Sequence, residues 1–333
     1  MKVGNAIKSF CKVAGYIILG RRAPITVSYL STYSCNQKCK YCNWEKMNQY
    51  SMNTEQAISL IKDLKNSGVV KLGFAGGESL CRKDIDILLE TAHECGLITS
   101  ISSNGQEILN HLDSIKRNVD VVQLSIDGTE DTHDCQRGIG SHKKVIEAMR
   151  VLNENKVKVV TNTVLTKKNL NDLKYILELA NQYGNIALFQ PLFCYELSET
   201  NVVLDSMQPS YFEIYYALEY LIEQKRMGKP VGNSIAFFRY VQNTWNNKNN
   251  VKCFANNLFC AIDPLGYVIP CCFDISQNDK CNAISQGFGQ AFKNCQNNDF
   301  PTQCKGCYCN AYIESNFVFS LNIAACLNAI KII

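Results

Sequence analysis

Between residues 25 and 191 short β-branched runs alternate with helical apolar spacings, and this alternation constrains the fold more than any other feature of the chain. The β-type runs fall at 25–30, 69–74, 98–102, 121–126, 157–164 and 186–189. Helical patterns occupy 55–66, 84–95, 107–115, 141–155 and 170–183 between them, and Gly68, Gly96 and Gly184 stand where helices should stop. A strand that returns parallel to its predecessor needs a crossover long enough to hold a helix, so repeated units of this kind build a parallel sheet. Six units predict an α/β fold: a partial (β/α)6 TIM-like barrel rather than a closed eight-stranded one. Parallel barrels carry their chemistry on the loops after the strand C-termini, so the informative residues should lie just past each run.

The 333 residues, 46% of them hydrophobic, suffice for one barrel with a sizeable core and an appended domain. A net charge of +4 is too mild for the clustered basic footprint of a nucleic-acid binder. Cysteine is the outlier, with 18 residues, eight of them up to Cys194 and ten between Cys253 and Cys326. A secreted disulfide scaffold is short and follows a signal peptide, whereas this chain is long and only weakly apolar over 13–19. No stretch approaches the roughly 18–20 apolar residues of a membrane span. The thiols are therefore expected to be metal ligands in a reducing, cytoplasmic setting.

Directly after the first run comes Cys35-Asn-Gln-Lys-Cys39-Lys-Tyr41-Cys42, a C-x3-C-x2-C spacing. Three thiolates from one loop can take three irons of a [4Fe-4S] cluster and leave the fourth iron open to a ligand. A structural zinc site is the alternative, but zinc prefers C-x2-C pairs that together supply four ligands. The spacing, with an aromatic residue before the last cysteine and a place after the first strand of a βα series, resembles the radical S-adenosylmethionine (radical SAM) superfamily. The second run ends in Phe74-Ala-Gly76-Gly77-Glu78, similar to that family's GGE motif, with Ser79 in place of the usual proline. The resemblance implies that Gly76, Gly77 and Glu78 seat the methionine amino group and that Tyr41 lies against the adenine. Ser102 and Asn104, which close the third run, and Ser125 and Asp127, which close the fourth, would hydrogen-bond the ribose and carboxylate. Each of these equally suits a turn or helix cap. In His133-Asp134-Cys135-Gln136-Arg137-Gly138, which also matches a segment common in the family, Arg137 is expected to face the cofactor carboxylate, with a solvated surface charge as the alternative. His93, His111, His133 and His142 are scattered, which speaks against a histidine metal site.

The later cysteines resemble the SPASM and twitch extensions of radical SAM enzymes, which bind auxiliary [4Fe-4S] clusters. Cys253-x12-Gly266-x4-Cys271 matches their opening, and Cys304-x2-Cys307 their later half. A hairpin over 261–269, turning at Pro264-Leu265-Gly266, would bring Cys260 near Cys271. Beyond Cys307 the chain departs from the full pattern, with Cys309 one residue on and Cys326 much later. The expectation is one auxiliary cluster held by Cys253, Cys260, Cys271 and one of Cys304, Cys307 and Cys309, with a zinc ribbon as the alternative. Cys11, Cys81, Cys95, Cys135, Cys194, Cys281 and Cys295 read as small buried hydrophobes.

At the N-terminus, Phe10, Val13, Ala14, Ile17 and Ile18 fall at helical spacing among Lys2, Lys8, Lys12, Arg21 and Arg22. Such a segment either packs across the barrel or lies on an anionic membrane. Further helices are expected at 211–226 and 235–245, followed by a linker at 243–250. The division is thus an amphipathic segment (1–23), a barrel (24–245) and a cysteine-rich auxiliary-cluster domain (246–333). The resemblance implies reductive cleavage of S-adenosylmethionine to a 5'-deoxyadenosyl radical that takes hydrogen from a substrate, with electrons from a flavodoxin- or ferredoxin-type donor. A peptide or protein side chain is the expected substrate, ahead of a small metabolite or lipid. A non-catalytic iron–sulfur carrier would need no amino-acid-binding motif.

Overall fold

The computed structural model describes residues 15, 23–47, 50–192, 206–245, 252–271, 277–297 and 307–332. The N-terminal amphipathic stretch lies outside the described residues apart from Gly15, as does most of the expected linker, 246–250. Six parallel strands form the body of the sheet: β1 (Thr26–Thr32), β2 (Lys71–Gly76), β3 (Ile98–Ser103), β4 (Val121–Ser125), β5 (Val159–Leu165) and β6 (Ile186–Pro191). They stand in sequential order, as right-handed βα repeats require. Two more strands extend the sheet beyond β1. β7 (Phe259–Ile262) pairs parallel to it, and β8 (Val268–Ile269) returns antiparallel. The partial (β/α)6 barrel expected from the sequence is present.

The crossovers carry α1 (Thr54–Asn66), α2 (Ile85–Glu94), α3 (Leu112–Asn118), α4 (Glu130–Arg137), α5 (Ser141–Glu154) and α6 (Leu173–Gln182). α1 shows why such segments are helical. Asn53 and Gln56 close a capping box, and Ala57, Leu60, Ile61 and Leu64 recur at i, i+3, i+4 and i+7 and are all buried. Each large apolar side chain buried in this way contributes about 1.5–3 kcal/mol. The helical pattern at 107–115 resolves into a 3-10 turn, Ile108–His111, followed by α3. α4 has no counterpart among the expected helices, because the side chains it buries are His133, Gln136 and Arg137, which leave no apolar periodicity.

The two faces of the sheet differ in chemistry. Tyr29, Phe74, Ile101 and Val122 stand in register on the convex face and are buried under the crossover helices. In the alternate register stand Ser28, Gly73 and Ser100, then Ser102 with Gln123 and Ser125 with Asn162. This concave face is polar, with Lys71 at the N-terminal end of β2 its one charged strand residue, a groove rather than a core.

Downstream lie α7 (Tyr211–Arg226), α8 (Ile235–Thr244), one-turn α9 (Ala283–Gln286), α10 (Phe288–Asn297), α11 (Asn310–Phe319) and α12 (Ile323–Ile332). α10 packs on α1 and β8, so residues past 252 continue the barrel's own sheet and core. α11 spans the concave side, with Tyr312 stacked on Phe259 of β7 at 5.1 Å and the Asn310 side-chain amide donating to Asn162 Oδ1 of β5 at 2.9 Å. Among the described residues no helix is long and apolar enough to cross a membrane.

Candidate active site

The C-terminal ends of β1 to β5 converge on one loop, residues 33–43. Its start is fixed by backbone. Gly77 N–H donates to Thr32 O at 2.8 Å and Glu78 N–H to Ser34 O at 2.9 Å. A Cβ at Gly77 would lie 2.3 Å from Ser34 O, and one at Gly76, where φ is +118°, would lie 2.2 Å from Thr32 O. The two glycines therefore serve a close approach between β2 and the cysteine loop, and only residues without a side chain permit it.

The loop gathers its three thiols. Gln37 N–H donates to Cys35 Sγ at 3.4 Å, and Cys42 N–H to Cys39 O at 3.0 Å. Burial raises all three thiol pKa values, Cys42 to about 11, with Cys39 and Cys35 close enough to raise it further. Arg137 opposes the rise at Cys39. Buried neutral thiols become anions only when a cation joins them, which a metal group would do. Among the described residues no three His, Cys, Asp or Glu side chains stand where one metal ion could take them together. Structural zinc takes four ligands, whereas three thiolates on one loop would hold three irons of a cluster and leave the fourth open. The all-thiol donor set on one loop thus fits a [4Fe-4S] cluster better than zinc.

Glu78 is 1% exposed, and its carboxylate accepts from Leu80 N–H (3.2 Å), Ser103 Oγ (3.2 Å) and Asn104 N–H (2.7 Å). Burial pushes its pKa up to about 7 against those donors. Asn104 reaches back to the loop, its side-chain amide donating to Asn36 Oδ1 at 2.8 Å and approaching Cys35 Sγ at 3.8 Å. Ser102 and Ser125 point instead onto the concave face, where both are half-buried.

Buried Asp127 and Arg137 form one unit with half-buried Tyr41. The Asp127 carboxylate receives Tyr41 Oη at 2.5 Å, Arg137 Nε at 2.6 Å, Arg137 Nη2 at 3.4 Å and Val164 N–H at 3.0 Å. Four donors fill its lone pairs, so it orients its neighbours rather than offering itself to a ligand. The Arg137 guanidinium lies 5.5 Å from the centre of the Tyr41 ring, within cation–π range. Arg137 is 7% exposed, which removes the reading of it as a solvated charge. Burial drives the Tyr41 pKa far up, keeping the phenol a donor.

Further along the chain, the Cys307 thiol is raised by burial and then by Cys309, Cys271 and Cys253, so all three lie within electrostatic reach of it. Cys304 lies outside the described residues. Cys260 does not join them. It is 1% exposed in the convex-face core with Val268 and Cys281, and its thiol neighbour is Cys295. The hairpin does form, but consecutive strand residues point to opposite faces. Phe259 and Ala261 face the concave side while Cys260 and Ile262 face the helices. Cys281 and Cys295 are buried as expected, but Cys81 and Cys135 are exposed, Cys135 beside Lys40 Nζ at 3.3 Å. Behind Asp127 stand His133, Gln136 and Asn169; the first two belong to the family-like segment 133–138, but nothing in residue type or spacing marks them or Asn169 as a buried polar bracket.

Residues 29–180 match the family model described as "Radical SAM superfamily". The chain carries a radical SAM domain. It is 28% identical over 290 residues to mycofactocin maturase MftC of Mycobacterium tuberculosis, spanning 83% of this chain and 72% of that relative. Among solved structures it is similar to Streptococcus suis SuiB bound to precursor peptide SuiA, with TM-score 0.67, 18% identity and 89% and 69% of the two chains covered. It is likewise similar to anSMEcpe with bound AdoMet and Cp18Cys peptide, with TM-score 0.65, 18% identity and 92% and 99% coverage. At such identity the two structures establish the fold, in which the radical SAM domain of this enzyme is a partial barrel.

Proposed function

We propose that this radical SAM enzyme modifies a side chain of a peptide. The observation that carries the reading is the convergence of the Cys35, Cys39 and Cys42 thiols with Glu78 and Asn104 at the C-terminal edge of a parallel half-barrel. When bound, the cluster and S-adenosylmethionine supply a 5'-deoxyadenosyl radical that abstracts hydrogen from the substrate. On this reading Cys35, Cys39 and Cys42 hold the cluster. Glu78, which ionises as pH rises through about 7, meets the methionine ammonium beside Gly76 and Gly77. Ser102, Ser125 and Arg137 lie toward its carboxylate and ribose, and Tyr41 borders the adenine.

The polar concave face then receives substrate, and α11 closes it against water. Cys253, Cys271, Cys307 and Cys309 hold an auxiliary cluster in the cysteine-rich part after residue 245, and a flavodoxin- or ferredoxin-type protein supplies electrons. Peptide as substrate is supported by the maturase relative, 28% identical over most of this chain, and by the two structural neighbours whose complexes contain peptides.

The test is anaerobic reconstitution, incubation with S-adenosylmethionine and dithionite, and chromatography for 5'-deoxyadenosine. Its formation in the parent protein and absence in Cys39→Ala is the expected pair of results. Nucleoside formation that survives Cys39→Ala overturns the cluster assignment. For the substrate, co-expression with a short peptide encoded beside its gene should yield peptide lacking hydrogens by mass spectrometry. Turnover of a small metabolite in place of any peptide would overturn that half of the reading.

A further inference from the structure

The Asp127 carboxylate can bridge three elements only because its main chain is held from both sides. Its N–H donates to His133 Nδ1 at 3.1 Å, and its C=O accepts from the Asn169 side-chain amide at 2.8 Å. Both partners are fully buried, and Asn169 also donates to Val164 O at 2.8 Å while its Oδ1 accepts Thr166 N–H at 2.8 Å. A backbone N–H pointing at Nδ1 places the imidazole hydrogen on Nε2, an atom without a partner among the described residues. Burying an imidazole with one nitrogen unsatisfied costs stability. The position therefore returns something through Nδ1 that an apolar side chain could not give.

What it returns follows along α4. His133 opens a turn whose last residues all touch the cysteine loop. Lys40 N–H donates to Gln136 O at 2.9 Å, Lys40 Nζ reaches Cys135 Sγ at 3.3 Å, and Arg137 covers Tyr41. Gln136 is itself fixed by the Thr166 hydroxyl at 2.7 Å, on the Asn169 side of the bracket. The chain of contacts runs from His133 and Asn169 to the Asp127 backbone, and from the Asp127 carboxylate to Arg137, Tyr41 and the loop that bears Cys39 and Cys42.

We infer that His133, seconded by Asn169, is a positioning residue for cofactor binding: its Nδ1 sets the Asp127 main chain so that one carboxylate holds Arg137 and Tyr41 against the cysteine loop. The inference rests on the cofactor reading above for its functional half and on contacts within the protein for its structural half. Burial and the nearby Arg137 push the His133 pKa down to about 4, so the acceptor is present throughout the neutral range.

The experiment compares parent, His133→Leu and His133→Asn proteins. Asn puts Oδ1 where Nδ1 stands and keeps the acceptor, whereas Leu fills the space without one. The first readout is S-adenosylmethionine affinity of the anaerobically reconstituted protein, read from the change the cofactor makes in the electron paramagnetic resonance spectrum of the reduced cluster. The second is amide hydrogen exchange of Asp127, Val164 and Lys40 in the metal-free chain. His133→Leu should weaken affinity about tenfold or more and speed exchange at the three amides, and His133→Asn should restore both. Parent-like affinity in the Leu variant overturns the inference, whatever the exchange shows. So does an Asn variant as impaired as Leu, since the imidazole would then act by packing. If the parent protein binds no S-adenosylmethionine, the function proposed above fails, and the exchange pattern alone decides whether His133 positions the loop.

Discussion

Replacing Gly77 by alanine tests the idea that the glycine pair sets the distance between β2 and the cysteine loop. The added Cβ would meet Ser34 O at 2.3 Å, Tyr33 O at 2.5 Å and Ser34 C at 2.8 Å, all backbone atoms that cannot swing aside as a side-chain end would. Ordinary contact needs about 3.4 Å or more, so the two segments must part by about 1 Å. That displacement breaks the Gly77 N–H to Thr32 O and Glu78 N–H to Ser34 O bonds, of 2.8 and 2.9 Å. Overpacking costs about 1–3 kcal/mol, and each lost hydrogen bond about 1 kcal/mol more. The sum, about 3–5 kcal/mol, can be lost as global stability or as local opening of the loop. Urea unfolding, iron content after reconstitution and S-adenosylmethionine affinity separate the two. The control is Gly184→Ala, where φ is +64° and no atom lies within 4 Å of the added Cβ. It should cost only about 1–2 kcal/mol of backbone strain and leave iron content alone. A Gly77→Ala protein with parental stability, iron and affinity would refute the reasoning.

Glu78 gives a pH signature. Its folded pKa of about 7 stands above the ordinary 4.5, so the folded state holds the proton more tightly. Stability of the metal-free chain should fall as pH rises from about 4.5 to 7, by at most about 3 kcal/mol, and Glu78→Gln should flatten the slope in urea titrations. S-adenosylmethionine affinity should move the other way, rising from pH 6 to 8 as the carboxylate ionises, and Glu78→Gln should remove that rise as well. Cys260→Val should cost core stability in thermal melts yet leave total iron per chain unchanged, whereas Cys271→Ala or Cys307→Ala should lower it in iron assays. Equal iron loss in all three would return Cys260 to the ligand set.

The fold was legible where apolar spacing carried it. The convex-face residues Val27, Leu72, Ile101 and Val122 are β-branched or aliphatic, and α1 repeats at i, i+3, i+4 and i+7, so strands and helices could be placed within a few residues. α4 could not, since it is held by polar bonds to Asp127, Thr166 and Lys40 rather than by apolar burial. The cysteine loop was visible because its spacing encodes a ligand set. Hairpin spacing alone puts Cys260 near Cys271, but the pleat sends neighbouring strand residues to opposite faces and Cys260 into the core. The place of Asp127 after β4 suggests a ligand contact, and only its four donors reveal that its carboxylate is already committed.

The polarity of the concave face and the course of α11 together constrain where chemistry can occur. Among strand residues in that register, Lys71 at the N-terminal end of β2 is the one charged side chain, and the levels above it hold serine, glutamine, asparagine and aliphatic groups. A groove of this kind can hydrogen-bond a peptide backbone or a neutral side chain without paying to desolvate a charge. Asn310, the first residue of α11, closes the groove on two strands at once, its N–H donating to Gln190 Oε1 at 3.3 Å and its side-chain amide to Asn162. Cys309 directly precedes it, and Cys307 stands two residues further back. Any group held by these thiols would therefore border the same groove into which the loop of Cys35, Cys39 and Cys42 opens from the strand C-termini.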